Sequence, residues 1–120
     1  VSYATSPAAE VHYSKGKYNT PPTGNLFLKG GTFRQVEGAA VLKGAKQPEL
    51  AAKLVSWLQS GEVQQALPAE MWVYPAAKNT PLPKVFEFAQ TPKHSDSPNR
   101  ADINTKQKQW VSRWSKTVLR

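Results

Sequence analysis

The chain has 120 residues, of which 39% are apolar and 10% aromatic, and its formal net charge is +8. This length allows one small hydrophobic core, and the composition is that of a globular protein rather than a disordered one. The absence of cysteine excludes disulfides, thiolate metal sites and thiol nucleophiles, and no apolar run reaches the roughly 20 residues that span a bilayer.

The first third of the chain predicts a short strand, a helix start and a loop. Residues 1–5 read as the end of a buried strand. Ser6 and Pro7 follow, and a serine cap with proline at the first helical position is typical of a helix N-terminus. Residues 13–31 contain the loop signals NTPPTGN and KGG around a small apolar piece, so we expect a loop there.

The middle of the chain predicts a strand followed by an amphipathic helix. Residues 33–42 look extended, and their small side chains suit a strand that is crowded on both faces. The helix begins at Pro48, and one side of it is apolar, with Leu50, Leu54, Val55 and Leu58. Gly61 ends or interrupts this helix, and residues 62–67 supply one or two further turns before Pro68.

The last third predicts an irregular segment and then a long helix. Prolines at 75, 81 and 83 oppose regular structure before residues 85–89, and the polar run TPKHSDSPNR reads as an exposed loop. The final helix carries a stripe at helical spacing, made of Ile103, Gln107, Trp110, Val111, Trp114 and Val118. We expect this stripe to face inward and the basic residues of the helix to form a solvated surface.

Three blocks of sequence occur in a fixed order along the chain. They are SYATSPA at residues 2–8, FRQVEGAAVLKGAKQPELA at residues 33–51 and MWVYP at residues 71–75, and a tryptophan-bearing helix with the sequence QWVSRW closes the series. Together they resemble the C-terminal part of the thiamine-binding receptors that feed bacterial ABC importers. The resemblance covers nearly all of the chain.

This resemblance implies an α/β fold, a fragment of the two-lobed type II periplasmic-binding-protein fold in which short strands pack with helices. It implies that residues 1–120 form the C-terminal portion of such a receptor, with a crossover strand between the lobes near residues 33–42. The N-terminal portion, with its export signal, would lie outside this chain. The implied location is the periplasm, or a lipid anchor outside the cytoplasm.

The resemblance also implies where a ligand binds. In the resembling receptors the YATS tetrad lines the ligand, and it corresponds here to Tyr3, Ala4, Thr5 and Ser6. A tryptophan that stacks on the ligand there corresponds to Trp72, and Tyr74 would point to the same side of an extended segment. Thiamine is flat and partly positive, so aromatic faces and hydroxyl groups suit its two rings.

Several of these residues have a structural alternative. Ser6 is also a plausible helix cap, and Tyr3 a plausible core residue. The other tryptophans, Trp57, Trp110 and Trp114, stand at helical spacing and are typical of packing residues. Some relatives carry an aromatic residue where this chain has Ala9, and Tyr13 is the neighbouring aromatic that would compensate.

We expect a receptor that binds thiamine or a thiamine phosphate and delivers it to the membrane subunits of an ABC importer, and that is monomeric when intact. The chain has dispersed acids and no catalytic motif, so we expect no enzyme activity, no cofactor and no metal. One alternative is a receptor for ferric iron, a polyamine or another small solute, although the chain lacks the adjacent tyrosines common in iron receptors. The other is a small basic nucleic-acid-binding domain, which the scattered lysines disfavour, so we expect no nucleic-acid partner.

Overall fold

Helices make up the regular structure of the chain. The computed structural model describes residues 2–119, with α1 at Ser6–Tyr13, α2 at Pro48–Leu58, α3 at Gly61–Met71, a 3-10 helix at Lys84–Phe88 and α4 at Arg100–Val118. None of the helices described there has the length and apolar character to cross a membrane. The described residues form two units: residues 2–27 with 36–93, and Leu28–Gln35 with residues 94–119.

The predicted short strands are not seen. Within residues 2–119 the only β pairing is an isolated parallel bridge between Phe33 and Asp96, and residues 34–42 are exposed with no strand assignment. Strands are stabilised by a ladder of hydrogen bonds with a neighbouring strand, and no such ladder forms among these residues. Residues 2–5 enter α1 through a turn rather than a strand, and the prediction for Val1 lies outside the described residues. The α/β prediction is therefore confirmed in its helices and not in its strands.

The first unit has a small core to which α1, α3 and the 3-10 helix contribute. Its buried apolar residues are Pro7, Ala8, Val63, Pro68 and Phe86. Helix α1 packs against the 3-10 helix, and α2 contacts α3. The C-terminal ends of α1 and α3 therefore belong to the same unit.

The start of α1 differs by one residue from the prediction. Thr5, not Ser6, is the N-cap residue, and Pro7 lies in the first turn, where its missing N–H costs nothing. The side chain of Thr5 makes no capping hydrogen bond to α1. Its hydroxyl donates instead to the main-chain carbonyl of Trp72.

Helix α3 continues past the point where the sequence predicts its end. The hydroxyl of Ser60 accepts a hydrogen bond from the Val63 N–H and caps the helix start. Pro68 lies inside the helix, where it removes one backbone hydrogen bond, and its ring is fully buried. Burial of the ring favours the longer helix, which ends at Met71.

The apolar faces of α2 and α4 are exposed, contrary to the prediction that their tryptophans are packed. Neither helix has a buried residue among those described. Trp57 is 53% exposed, Trp110 41% and Trp114 50%. The unit that contains α4 supplies only the segment Leu28–Gln35 and the loop before the helix, which is too little surface to cover a helix of 19 residues.

Candidate functional site

Trp72 occupies the C-cap of α3 in the left-handed conformation, with φ 56° and ψ 35°. Its N–H donates to the carbonyl of Pro68 at 3.2 Å, which closes the last turn of the helix. The left-handed region costs a residue with a β-carbon roughly 1–2 kcal/mol, so other contacts must hold Trp72 there. The predicted extended alternation of Trp72 with Tyr74 is therefore wrong for the backbone of Trp72.

The two aromatic rings of the MWVYP block nevertheless meet at one residue, Phe86. The indole of Trp72 lies parallel to the Phe86 ring, with 5.8 Å between centroids and 2° between planes. Tyr74 meets the same ring edge-on, at 5.5 Å and 84°. Phe86 is only 5% exposed, so it is a buried support for both rings.

Two residues at the end of α1 also contact Trp72. The imidazole of His12 and the phenol of Tyr13 meet the indole at steep angles, with centroid distances of 5.3 and 5.6 Å. The indole Nε1–H donates a hydrogen bond of 3.1 Å to the Tyr13 hydroxyl. We call His12, Tyr13, Trp72, Tyr74 and Phe86 the aromatic cluster.

The YATS tetrad lies at the opposite end of α1. Thr5, which is 4% exposed, donates from its hydroxyl to the main-chain carbonyl of Trp72 at 2.7 Å. The carbonyl of Ala4 accepts from the Asn25 side-chain amide at 2.8 Å. The Ser6 hydroxyl lies 2.6 Å from the Ser2 hydroxyl, and Tyr3 is 71% exposed, so it is not a core residue.

The structure thus brings together three of the six predicted site residues. Thr5 contacts Trp72 directly, and Trp72 and Tyr74 share Phe86. Tyr3 and Ser6 are linked by a backbone hydrogen bond of 3.0 Å, and neither has a described contact with the aromatic cluster.

Sequence reasoning missed Phe86, His12 and Gln64. Gln64 is buried, and its Oε1 accepts from the backbone N–H groups of Ala76 and Ala77, which fixes the turn after MWVYP. Phe86 belongs to a short apolar run after three prolines, and this run is the sequence feature that indicates a buried residue there. His12 is exposed, and its ring contacts Trp72.

The residues of the aromatic cluster line neither of two grooves on the described part of the chain. An open groove of about 440 Å³ lies at the start of α2 and is lined by residues 46–50 and Lys53. A second groove of about 140 Å³ is lined by Pro7, Pro21, residues 23–25, Glu87, Phe88 and Gln90. In the described part of the chain, no three His, Asp or Glu side chains are grouped so that they could hold a metal ion. The site is therefore an open surface of rings.

Curated relatives match the chain from end to end. It is 35% identical over 120 residues to the thiamine-binding periplasmic protein of Escherichia coli K12 and 33% identical over 120 residues to that of Salmonella typhimurium LT2. The resemblance predicted from the sequence is confirmed. The chain is homologous to a segment of the thiamine-binding periplasmic proteins.

A more distant relative gives the same result. The thiamine-binding periplasmic protein of Brucella melitensis is 30% identical over 117 residues, which are 95% of this chain and 33% of that protein. The Escherichia coli and Salmonella matches cover all of this chain and 35% of those proteins. The chain therefore spans about a third of the length of the relatives it matches. No protein-family model and no solved structure matches it.

Proposed function

We propose that this chain is part of a periplasmic receptor that binds thiamine, or a thiamine phosphate, and delivers it to an ABC importer. The observation that carries the proposal is the identity of 30–35% across nearly the whole chain to proteins named for thiamine binding in the periplasm. Its role would be capture without conversion, since these relatives are named as binding proteins.

The aromatic cluster supports this ligand class. Trp72 is half-buried and Tyr74 is exposed, and both rest on the buried Phe86 ring. An aromatic face attracts a cationic ring by about 0.5–2 kcal/mol, depending on desolvation. The cluster would supply the ring surface for the thiazolium or the aminopyrimidine of thiamine.

We assign the remaining ligand contacts to Tyr3, Ala4 and Ser6 of the YATS tetrad. Tyr3 and Ser6 carry hydroxyls near the N-terminus of α1, and the backbone of Ala4 lies beside them. The N-terminus of a helix with free N–H groups favours an anion, which suits a phosphate on the ligand. Thr5 belongs to the site through its bond to Trp72.

The cluster and the tetrad would form one wall of a cleft between two lobes. In this proposal the chain is the C-terminal portion of the receptor, and residues 33–42 cross between the lobes. One of the boundaries between the two described units falls within this segment, between Gln35 and Val36. Ligand held by both lobes would favour the closed form, and the membrane subunits of the importer would recognise that form. The intact receptor would be monomeric, and lipid anchoring is the alternative to free diffusion in the periplasm.

Calorimetric titration of the intact protein tests the proposal. We expect saturable binding of thiamine or one of its phosphates, and the comparison of thiamine with its mono- and diphosphate identifies the preferred form. Spermidine and ferric citrate are titrated in the same way, because they represent the alternative ligand classes. Saturable binding of either one with no binding of any thiamine form would contradict the proposal.

A further inference from the structure

Helix α1 holds Trp72 at two points. At its N-terminal end the Thr5 hydroxyl donates to the Trp72 carbonyl at 2.7 Å. At its C-terminal end the Tyr13 hydroxyl accepts from the Trp72 indole Nε1–H at 3.1 Å. One contact fixes the main chain of Trp72, and the other fixes its ring.

The Thr5 hydroxyl is used in an unusual way for an N-cap residue. A threonine at this position normally accepts a hydrogen bond from an N–H of the first helical turn, and Thr5 makes no such bond. Its proton goes instead to a carbonyl at the end of α3, where helical carbonyls lack partners within their own helix. Thr5 is 4% exposed, and its hydroxyl proton is already engaged by the Trp72 carbonyl.

The contact with Tyr13 restricts rotation of the indole. A partly exposed tryptophan has several side-chain rotamers available, and a hydrogen bond to Nε1–H favours those that reach the acceptor. The rotamer that reaches Tyr13 is also the one that lies parallel to Phe86. The ring is thus supported on one face and tethered at its nitrogen.

We propose that Thr5 and Tyr13 are positioning residues that hold Trp72 ready for ligand, and that Thr5 does not itself contact the ligand. The expected effect on ligand affinity rests on the proposed function. A ring that is already fixed loses less conformational freedom when a ligand stacks on it, so binding is tighter. Removing either tether lowers affinity while the indole remains present.

The test uses three variants of the intact protein with matched controls. Thr5→Val removes the hydroxyl at constant shape, Thr5→Ser restores it, and Tyr13→Phe removes the acceptor for the indole. Thr117→Val and Tyr18→Phe are the controls, since the Thr117 hydroxyl bonds within α4 and no described ring contact links Tyr18 to Trp72. Thiamine affinity is measured by calorimetry.

A hydrogen bond of ordinary net strength corresponds to a loss of about 2- to 10-fold in affinity for Thr5→Val and for Tyr13→Phe. We expect Thr5→Ser and both controls to stay within about 2-fold of the unchanged protein. Equal affinity of Thr5→Val, Tyr13→Phe and the unchanged protein would overturn the inference. Equal weakening by Thr5→Val and Thr5→Ser would also overturn it, because packing rather than the hydroxyl would then be responsible.

A second readout needs no ligand. The indole N–H cross-peak of Trp72 in a ¹H–¹⁵N correlation spectrum should move upfield in Tyr13→Phe and broaden in Thr5→Val, while the indole peaks of the other tryptophans stay in place. An unmoved Trp72 peak in both variants would overturn the inference even if affinity changed. Absence of thiamine binding by the unchanged protein would overturn the proposed function instead, and these spectra would still decide whether Thr5 and Tyr13 hold the ring.

Discussion

The indole of Trp72 lies parallel to the buried ring of Phe86, with 2° between the planes and 5.8 Å between the centroids. Tyr74 meets Phe86 edge-on from the same block of sequence. One buried phenylalanine in the 3-10 helix therefore sets the position of both aromatic side chains that we assign to the ligand.

Replacement of Phe86 by leucine tests this support. Leucine keeps the site apolar but loses two aromatic contacts, each worth about 0.5–1.5 kcal/mol, so we expect the unfolding free energy to fall by about 1–3 kcal/mol. Urea denaturation measures the change. Phe88→Leu is the matched control, since no described ring contact involves Phe88, and an equal effect of the two substitutions would contradict a special role for Phe86.

Gln64 is predicted to anchor the turn that follows MWVYP. Its Nε2 donates to the Leu58 carbonyl at 2.8 Å, and its Oε1 accepts from Ala76 and Ala77. Gln64→Leu removes three hydrogen bonds to backbone groups that are only partly buried, which costs about 1–3 kcal/mol of stability in urea denaturation. Gln65→Leu, at an exposed neighbour in the same helix, should change stability by less than about 0.5 kcal/mol.

The turn after α1 contains a strained lysine. Lys15 has φ 53°, in the left-handed region, and Gly16 follows with φ 84°. Lys15→Gly should raise the unfolding free energy by about 0.5–1 kcal/mol, since relief of backbone strain outweighs the extra freedom of glycine in the unfolded chain. Lys17 is not among the residues with positive φ, so Lys17→Gly should lower stability instead. A loss of stability in both variants would contradict the strain at Lys15.

In the second unit, Asn99 caps α4. Its Oδ1 accepts from the Ala101 N–H at 2.9 Å. Asn99→Ala should reduce the protection of the first turn of α4 against hydrogen exchange, by an amount that corresponds to about 1 kcal/mol. Asn104→Ala makes the same chemical change in the exposed body of the helix, where alanine raises helix propensity, so protection there should not fall.

The sequence predicts those parts of the fold that depend on local chemistry. Pro48 with Glu49 predicts the start of α2, and the structure begins the helix at Pro48. It predicts the helical turns at residues 62–67 but not the continuation of α3 through Pro68, where burial of the ring offsets the lost hydrogen bond. Burial of Pro68 depends on residues that are distant in sequence, so no local sequence pattern predicts it.

In the candidate site, too, the sequence predicts some features, and tertiary contacts determine the others. The resemblance singles out Trp72 and Tyr74, but the left-handed backbone of Trp72 and its tethers arise from tertiary contacts. Tyr13 is 59 positions from Trp72 and Thr5 is 67 positions away. The exposed faces of α2 and α4 could not be foreseen either, since apolar spacing on a helix indicates which side is to be covered and not what covers it.

Titration of thiamine into the intact protein and its Trp72→Ala variant tests the central claim most directly. Loss of a stacking contact of about 1–2 kcal/mol predicts a dissociation constant about 5- to 30-fold higher for Trp72→Ala. Trp57→Ala, which removes an exposed tryptophan on α2, should bind as the unchanged protein does. Equal affinity of Trp72→Ala and the unchanged protein would show that the aromatic cluster is not the ligand surface.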